Sequence, residues 1–318
     1  AGGGVEQRDE TMQIGTTDEI EVSAYVAAGL EYGEDHQLRA NSMLLRQTED
    51  EARITTGVVD NQSLERNLLE WIENELLAHQ LGGEHRLPWW HEQATFDWQA
   101  TRARAGRYAP NTREYRWNFD AEGVRELSQF GESNRSAWSD LADDSESWDA
   151  SLTLPFAWSD WLVASLGLHG GQLQRERDSY IRRYQFNFAF PNTPAGREER
   201  NRLLRLPSLE QIFAPENIRP NGFVLIETTQ ATDNYFAEQQ LDYLGVTLEA
   251  SFLDKFRINL GWREEQNFQE ATTFSVINPG VREVGTIDET NRLPAVVGTW
   301  WISDAQQLRV GYSETVSR

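Results

Sequence analysis

Apolar and polar residues alternate one by one along several stretches of this chain, the period of a β-strand with one dry face. Ile20, Val22, Ala24, Val26, Ala28, Leu30 and Tyr32 share one face, with Glu21, Ser23, Tyr25, Gly29 and Glu31 on the other. Leu162, Ala164, Leu166 and Leu168 oppose Ser165, Gly167 and His169 before the pattern dissolves into the polar run from Gln172 to Asp178. Leu244, Val246, Leu248, Ala250 and Phe252 form a third such face, Phe256, Ile258, Leu260 and Trp262 a fourth, and Leu308, Val310 and Tyr312 a fifth. The face from Leu162 to Leu168 is about one hydrocarbon thickness long. Arg257, Arg263 and Arg309 fall on the opposite face.

Short turns flanked by aromatic residues join these stretches in pairs. They carry Tyr32; Trp89 and Trp90; Trp158 and Trp161; Phe252 and Phe256; and Trp300 and Trp301. Much longer polar stretches separate one turn from the next. Tight turns at one end, long loops at the other, and aromatic rings at the tight end are the signature of a transmembrane β-barrel, with those aromatics as the interfacial girdle. Two strands per interval and one at each end give about ten antiparallel strands. Long extracellular loops are expected at 49–63, 106–145, 187–233 and 270–290, the third holding Pro191, Pro194, Pro207, Pro215 and Pro220 where no ladder needs their missing donors. Residues 64–81 conflict with this scheme. Leu68, Leu69, Ile72, Leu76 and Leu77, with Gly82 and Gly83 after them, fit an amphipathic helix locally, whereas their position before the second turn requires a strand. The strand is the reading that fits the whole.

Composition narrows the medium. With 39% apolar residues and a mean hydropathy of -0.63, no stretch approaches the roughly 20 apolar residues of a helical span. A barrel strand passes that test, because only every second residue meets lipid. Twenty-nine Lys plus Arg against 51 Asp plus Glu give a net charge of -22, which repels nucleic acid, so none is expected as a partner. The absence of cysteine excludes disulfides and thiolate metal sites and suits an oxidising envelope. His79, His85 and His91, six residues apart, match no common metal motif. No nucleophile elbow, phosphate loop or dinucleotide fingerprint is present, so neither an enzyme nor a cofactor is expected.

Specific residues carry a family resemblance. The run Leu293-Pro294-Ala295-Val296-Val297, followed after the last turn by Leu308-Arg309-Val310-Gly311-Tyr312-Ser313-Glu314-Thr315-Val316-Ser317-Arg318, resembles the barrel of TonB-dependent receptors. So, in the same order along the chain, do Asp50 to Ile54, Glu70 to Glu73, Ile212 to Ile218, Thr232 to Tyr235, Ala237 to Gln239 and Gly261 to Glu265. The resemblance covers nearly the whole chain and is specific for the family, though not for a ligand. It implies a barrel of about 22 strands around an N-terminal plug, an outer-membrane location in a Gram-negative bacterium, and energy from the TonB complex acting on the plug region. It further implies a scarce ligand: an iron chelate, cobalamin or a carbohydrate. Neither a plug nor a terminal closing aromatic is seen between Ala1 and Arg318. Residues 1–318 therefore read as a central part of such a barrel, whose plug and closing strands are expected outside this sequence.

In such a machine the ligand meets side chains converging from loops and upper inner wall. The candidates are Tyr115 and Trp117 from the second loop, with Arg175, Arg177 and Arg263 at positions facing away from lipid. Two rival architectures stay open at this point: a passive porin, and a soluble secreted all-β carbohydrate-binding protein.

Overall fold

The computed structural model describes residues 10–59, 62–88, 94–129, 133–159, 161–278 and 280–317. Ten long strands follow one another as an antiparallel meander: β1 (Glu10–Tyr32), β2 (His36–Val59), β3 (Gln62–Leu87), β4 (Ala94–Phe119), β6 (Asn134–Ser159), β7 (Leu162–Phe188), β9 (Tyr235–Phe252), β10 (Phe256–Phe274), β11 (Arg282–Ser303) and β12 (Gln306–Ser313). Two short strands pair at the far end, β5 (Arg125–Leu127) on β4 and β8 (Phe223–Glu227) on β7. Helices α1 (Pro194–Leu204) and α2 (Leu209–Ile212) fill the loop after β7. Among the described residues β1 and β12 pair on one side only, so the sheet is open at both edges.

The ambiguous stretch 64–81 is strand, paired along its length with β2 and β4. Its leucines serve both faces. Cross-strand partners share a face, so Leu69 and Leu77 lie with Ala52 and Leu44, while Leu68, Ile72 and Leu76 lie on the other side.

Following partners across the sheet shows one apolar belt face. It runs through Leu30, Leu38, Leu152, Leu168 and Val246 to Leu260, Val296 and Val310. The belt is not level with the hydrogen-bonded rows. From Tyr32 the row passes through His36, His85, Phe96, Leu152 and Leu168 to Val246, well inside β9, whereas the aromatic at the turn end of β9 is Phe252. That stagger is what strands tilted to a barrel axis require.

The girdle is physically continuous in two pieces. Tyr32 stacks on His36, with centroids 6.2 Å apart, and His85 stacks on Phe96 at the same distance. His36 and His85 join these pairs through a 3.1 Å Nδ1–Nδ1 hydrogen bond, and the Trp98 indole donates to His85 Nε2 at 3.0 Å. Phe252, Phe256 and Trp300 form the second stack, at 5.6 and 6.0 Å. Trp158 and Trp161 are exposed, as a girdle position requires. Trp301 is the exception. Being next to Trp300 on a strand, it points to the inner face, where the Arg257 guanidinium sits 5.5 Å from its ring. Trp89, Trp90 and His91 lie outside the described residues.

Three of the four expected long loops are largely strand. β2 runs to Val59 and β3 begins at Gln62; β4 reaches Phe119 and β6 begins at Asn134; β10 reaches Phe274 and β11 begins at Arg282. Beyond the belt a strand needs no apolar face, so alternation stops while backbone pairing continues. Ion pairs take over on the belt face, joining Arg46 to Glu73, Arg102 to Glu146 at 3.3 Å and Arg292 to Glu264 at 3.0 Å. Only 187–233 is a substantial loop, and its five prolines all lie outside strands. Thr193 caps α1 through Gly196 N–H, with Pro194 opening the helix, and Ser208 caps α2 through Gln211 N–H.

This loop builds the one apolar core of the described residues. Phe223 is fully buried, its ring edge-on to Phe188, Phe190 and Phe213, while Leu127, Leu203, Leu204, Ile212 and Trp117 close around it. Phe223→Ala is expected to cost this lobe about 3–5 kcal/mol. Limited proteolysis should then cut residues 189–234 much faster, while the hairpins of the meander keep their protection.

Candidate functional site

The structure brings Arg175 and Arg177 together and separates the other candidates from them. Both arginines alternate onto the inner face of β7, and Asp143 of β6 lies opposite Arg177. Asp143 accepts from Arg175 Nε at 2.7 Å and Nη2 at 2.6 Å, and from Arg177 Nε at 2.6 Å. The carboxylate is buried beneath two guanidiniums that are 43% and 37% exposed. One negative charge thus holds two positive ones, leaving a net positive pair whose outer edges reach solvent. Beside it lies a cleft of about 480 Å³ lined by Arg175, Arg177, Tyr235, Gln239 and Gln269, and also by Glu238 and Glu270, whose place in the strand alternation puts them with the belt face. Its floor is a row of small residues that continues from Arg177 through Ala237 and Ala271 to Gly285. Two guanidiniums, a phenol and two carboxamides over a small-residue shelf can bind an anionic, oxygen-rich ligand.

Arg263 belongs to a second cluster lower on the same face. It lies opposite Gly245, whereas Arg175 lies opposite Gln239, six residues away along β9 (245 - 239 = 6), or about 20 Å at strand spacing. The Arg263 guanidinium is 3.8 Å from the Tyr243 ring centroid, and its Nε is 2.7 Å from Glu265. Tyr243 lies across β7 and donates its hydroxyl to Asp149 on β6. Bare backbone makes this possible: a Cβ on Gly171 would meet Asp149 Oδ1 at 2.7 Å, and one on Gly245 would meet His169 Nε2 at 2.1 Å. A cleft of about 470 Å³ lined by Tyr25, Arg39, Asp97, Asp149, His169 and Tyr243 opens here.

Tyr115 and Trp117 are not loop residues. Both sit in β4, beyond a bulge at Pro110 and Asn111, where Asn111 takes φ 59°. The residues from Ala109 to Thr112 oppose those from Ser139 to Ala137, so β4 carries one extra residue and its faces exchange. Tyr115 and Trp117 therefore turn to the face that carries the belt. Trp117 is buried under the Arg125 guanidinium at 3.8 Å and packs in the loop core, so it is structural. Tyr115 lines a separate outer cleft with Trp138, Tyr184 and Phe213.

Asp143, Tyr235, Gln239 and Gln269 escape the sequence reading, because only cross-strand register aligns them with the arginines. Tyr243 and His169 escape it for the same reason, since only the pairing shows that each sits opposite a glycine, Gly171 and Gly245.

No protein-family model matches the sequence, and no curated protein is similar to it. Among solved structures, the siderophore receptor PiuA from Acinetobacter baumannii is similar at a TM-score of 0.49 and 10% identity over 97% of this chain and 49% of that one. The open form of the ferric-catecholate import receptor Fiu from E. coli K12 gives 0.47 and 9%, over 96% and 54%. The ferric preacinetobactin receptor BauA from Acinetobacter baumannii gives 0.45 and 11%, over 96% and 47%. The chain spans about half the length of these receptors. At these scores the architecture rests on the strand pairing itself.

Burial works against ionisation of Asp143, but hydrogen bonds from Arg175 and then Arg177 outweigh it and hold the carboxyl below its usual range. A folded-state value below the unfolded one gives stabilisation that is complete above about pH 4 and is lost as pH falls through the folded value. Hydrogen exchange, corrected for intrinsic rate, should show protection around Asp143 and Arg177 declining below pH 4 in the native protein. In Asp143→Asn, protection should already be reduced at pH 7 and should change little on acidification.

Proposed function

We propose that this chain is wall of a TonB-dependent outer-membrane receptor barrel in a Gram-negative bacterium, and that the inner Arg175–Arg177 cleft helps bind an anionic chelate on its way through. The observation that carries the membrane part is the apolar belt that crosses one face of a single-layer sheet, with stacked aromatics at its lower edge and ion pairs above. A single layer leaves its apolar face uncovered in water, and hydrocarbon supplies the missing cover. The ordered set of family-like motifs supports active uptake energised by the TonB complex acting on a plug. An iron chelate fits the two guanidiniums better than cobalamin or a neutral carbohydrate, since bidentate guanidinium contacts favour carboxylate and catecholate oxygen. In this reading Arg263, stacked on Tyr243 deeper in the wall, meets the ligand later or holds a domain placed inside the barrel.

Substitution on the two faces separates the membrane reading from a soluble one. Leu248→Arg, on the belt, is expected to destabilise the full-length protein in bilayers by about 2–4 kcal/mol, read by urea titration of heat-modifiable gel migration. Asn259→Arg, on the inner face, should change it little. Equal effects, or a monodisperse full-length protein without detergent, would remove the membrane reading.

Arg175→Gln with Arg177→Gln is expected to cut cellular uptake of an anionic ferric chelate by tenfold or more, the worth of about one charge-assisted hydrogen bond. Uptake in the double variant and in the native protein should vanish in cells lacking a working TonB complex. Uptake that persists there would favour a passive pore.

A further inference from the structure

The inner face carries an apolar island that hydrocarbon outside the wall does not explain. Met43 and Leu45 of β2 lie opposite Ala78 and Leu76 of β3, which lie opposite Ala103 and Ala105 of β4. Leu44 and Leu77, one residue away, point to the belt face, so these six point inward, and all six are half-buried. Nowhere else on the inner face, among the described residues, do apolar side chains fill two successive rows across three strands. Polar residues bound the island on every side. Below it run Asn41, Gln80 and Thr101, with Asn41 donating to Gln80 at 2.9 Å; above it run Gln47, Asn74 and Arg107. Ser23 and Tyr25 stand on the β1 side. On the fourth side the same two rows pass through Asp143 and Ser145 of β6 and reach Arg177 and Arg175.

We infer that the ligand drawn to Arg175 and Arg177 is amphiphilic, an anionic chelate whose aliphatic arm lies over Ala103, Ala105 and Ala78 and ends against Met43, Leu45 and Leu76. The inference rests on the anionic-chelate reading of the cleft. An apolar patch that faces away from lipid needs another cover, and a ligand arm supplies one. Register makes the arm continuous with the charged head. From Arg175 to Ala103 is two strand spacings, about 10 Å, a span that an arm of several methylenes crosses. The strip between is one strand wide and offers no free charge to the arm, because Asp143 is already turned to the two guanidiniums. Side-chain size then rises along the rows, from alanine on β4 to leucine and methionine farther out, which makes a shallow trough with a closed end. A wholly polar chelate would satisfy the arginines and leave the island wet.

The test is binding of radiolabelled ferric complexes of iminodiacetate, N-substituted with methyl, butyl or octyl, to the full-length protein in bilayer nanodiscs by equilibrium dialysis, with empty nanodiscs subtracted. A chain lying on a flat wall is dried on one side, so each methylene on the island is worth about half a buried one, or roughly twofold. The native protein should therefore bind the octyl chelate tenfold or more tighter than the methyl one. Leu45→Asn with Leu76→Asn should abolish that gain and leave the methyl chelate bound as before, which also shows that the variant is folded. Leu45→Met with Leu76→Met should restore the gain. Arg175→Gln with Arg177→Gln should weaken all three chelates alike. A flat series in the native protein, an equal gain in the asparagine variant, or loss of all three chelates in that variant would overturn the arm site. If the native protein binds none of the three, the anionic-chelate reading of the cleft falls instead.

Discussion

Backbone pairing between neighbouring strands is the interaction on which everything else here depends. Among the described residues no layer packs against the meander, and apart from the lobe around Phe223 almost no apolar side chain is buried. What holds β1 to β12 in order is a nearly unbroken ladder of N–H to C=O bonds. Such a ladder contributes little net stability in water, where the unfolded chain bonds equally well to solvent. In hydrocarbon the unfolded alternative loses that option, and the same ladder becomes obligatory. The stagger of the rows fits the same constraint, since a wall with every donor paired would have to close, and closure demands tilt and shear.

Side-chain alternation made the lower parts of β1, β7, β9, β10 and β12 legible in the sequence, since one apolar face leaves a period of two in the residues. Above the belt both faces meet polar surroundings, the period disappears, and Glu49-Asp50-Glu51 looks like a loop although it is mid-strand. The leucines of β3 mislead for a related reason. Leu69 and Leu77 face one way and Leu68, Ile72 and Leu76 the other, and superposing two faces of period two produced spacings of three and four. Pairing on both flanks settles the state of that segment, and pairing is not a local property of sequence.

The candidate site divides along the same line. Alternation counted from the belt put Arg175 and Arg177 on the inner face, because β7 runs without a bulge from Leu162 through both. Their partner Asp143 was invisible, hidden in an acidic run that read as solvated loop. Tyr115 and Trp117 failed for a sharper reason. One extra residue at Pro110 and Asn111 exchanges the faces of β4, and that exchange lets Trp117 join Leu127 in the loop core. The bulge is part of how the lobe is anchored, so a lone Pro-Asn pair in a polar stretch deserves weight when faces are counted.

Charge is distributed across the wall as unevenly as hydrophobicity. On the belt face above the apolar zone, Arg46, Arg102 and Arg292 each have their own glutamate, so the outer surface is neutralised pair by pair. On the inner face Arg175 and Arg177 share a single aspartate. In a chain of net charge -22, a shared carboxylate is what allows a locally positive spot to survive. Separate partners would cancel it, and no partner would leave two buried-edge guanidiniums repelling one another. An anion approaching this protein therefore meets a chain of net negative charge and, on the inner wall, a net positive pair at Arg175 and Arg177. Local attraction within a net repulsive charge favours a ligand that also fits the small-residue shelf beside it over one that merely carries negative charge.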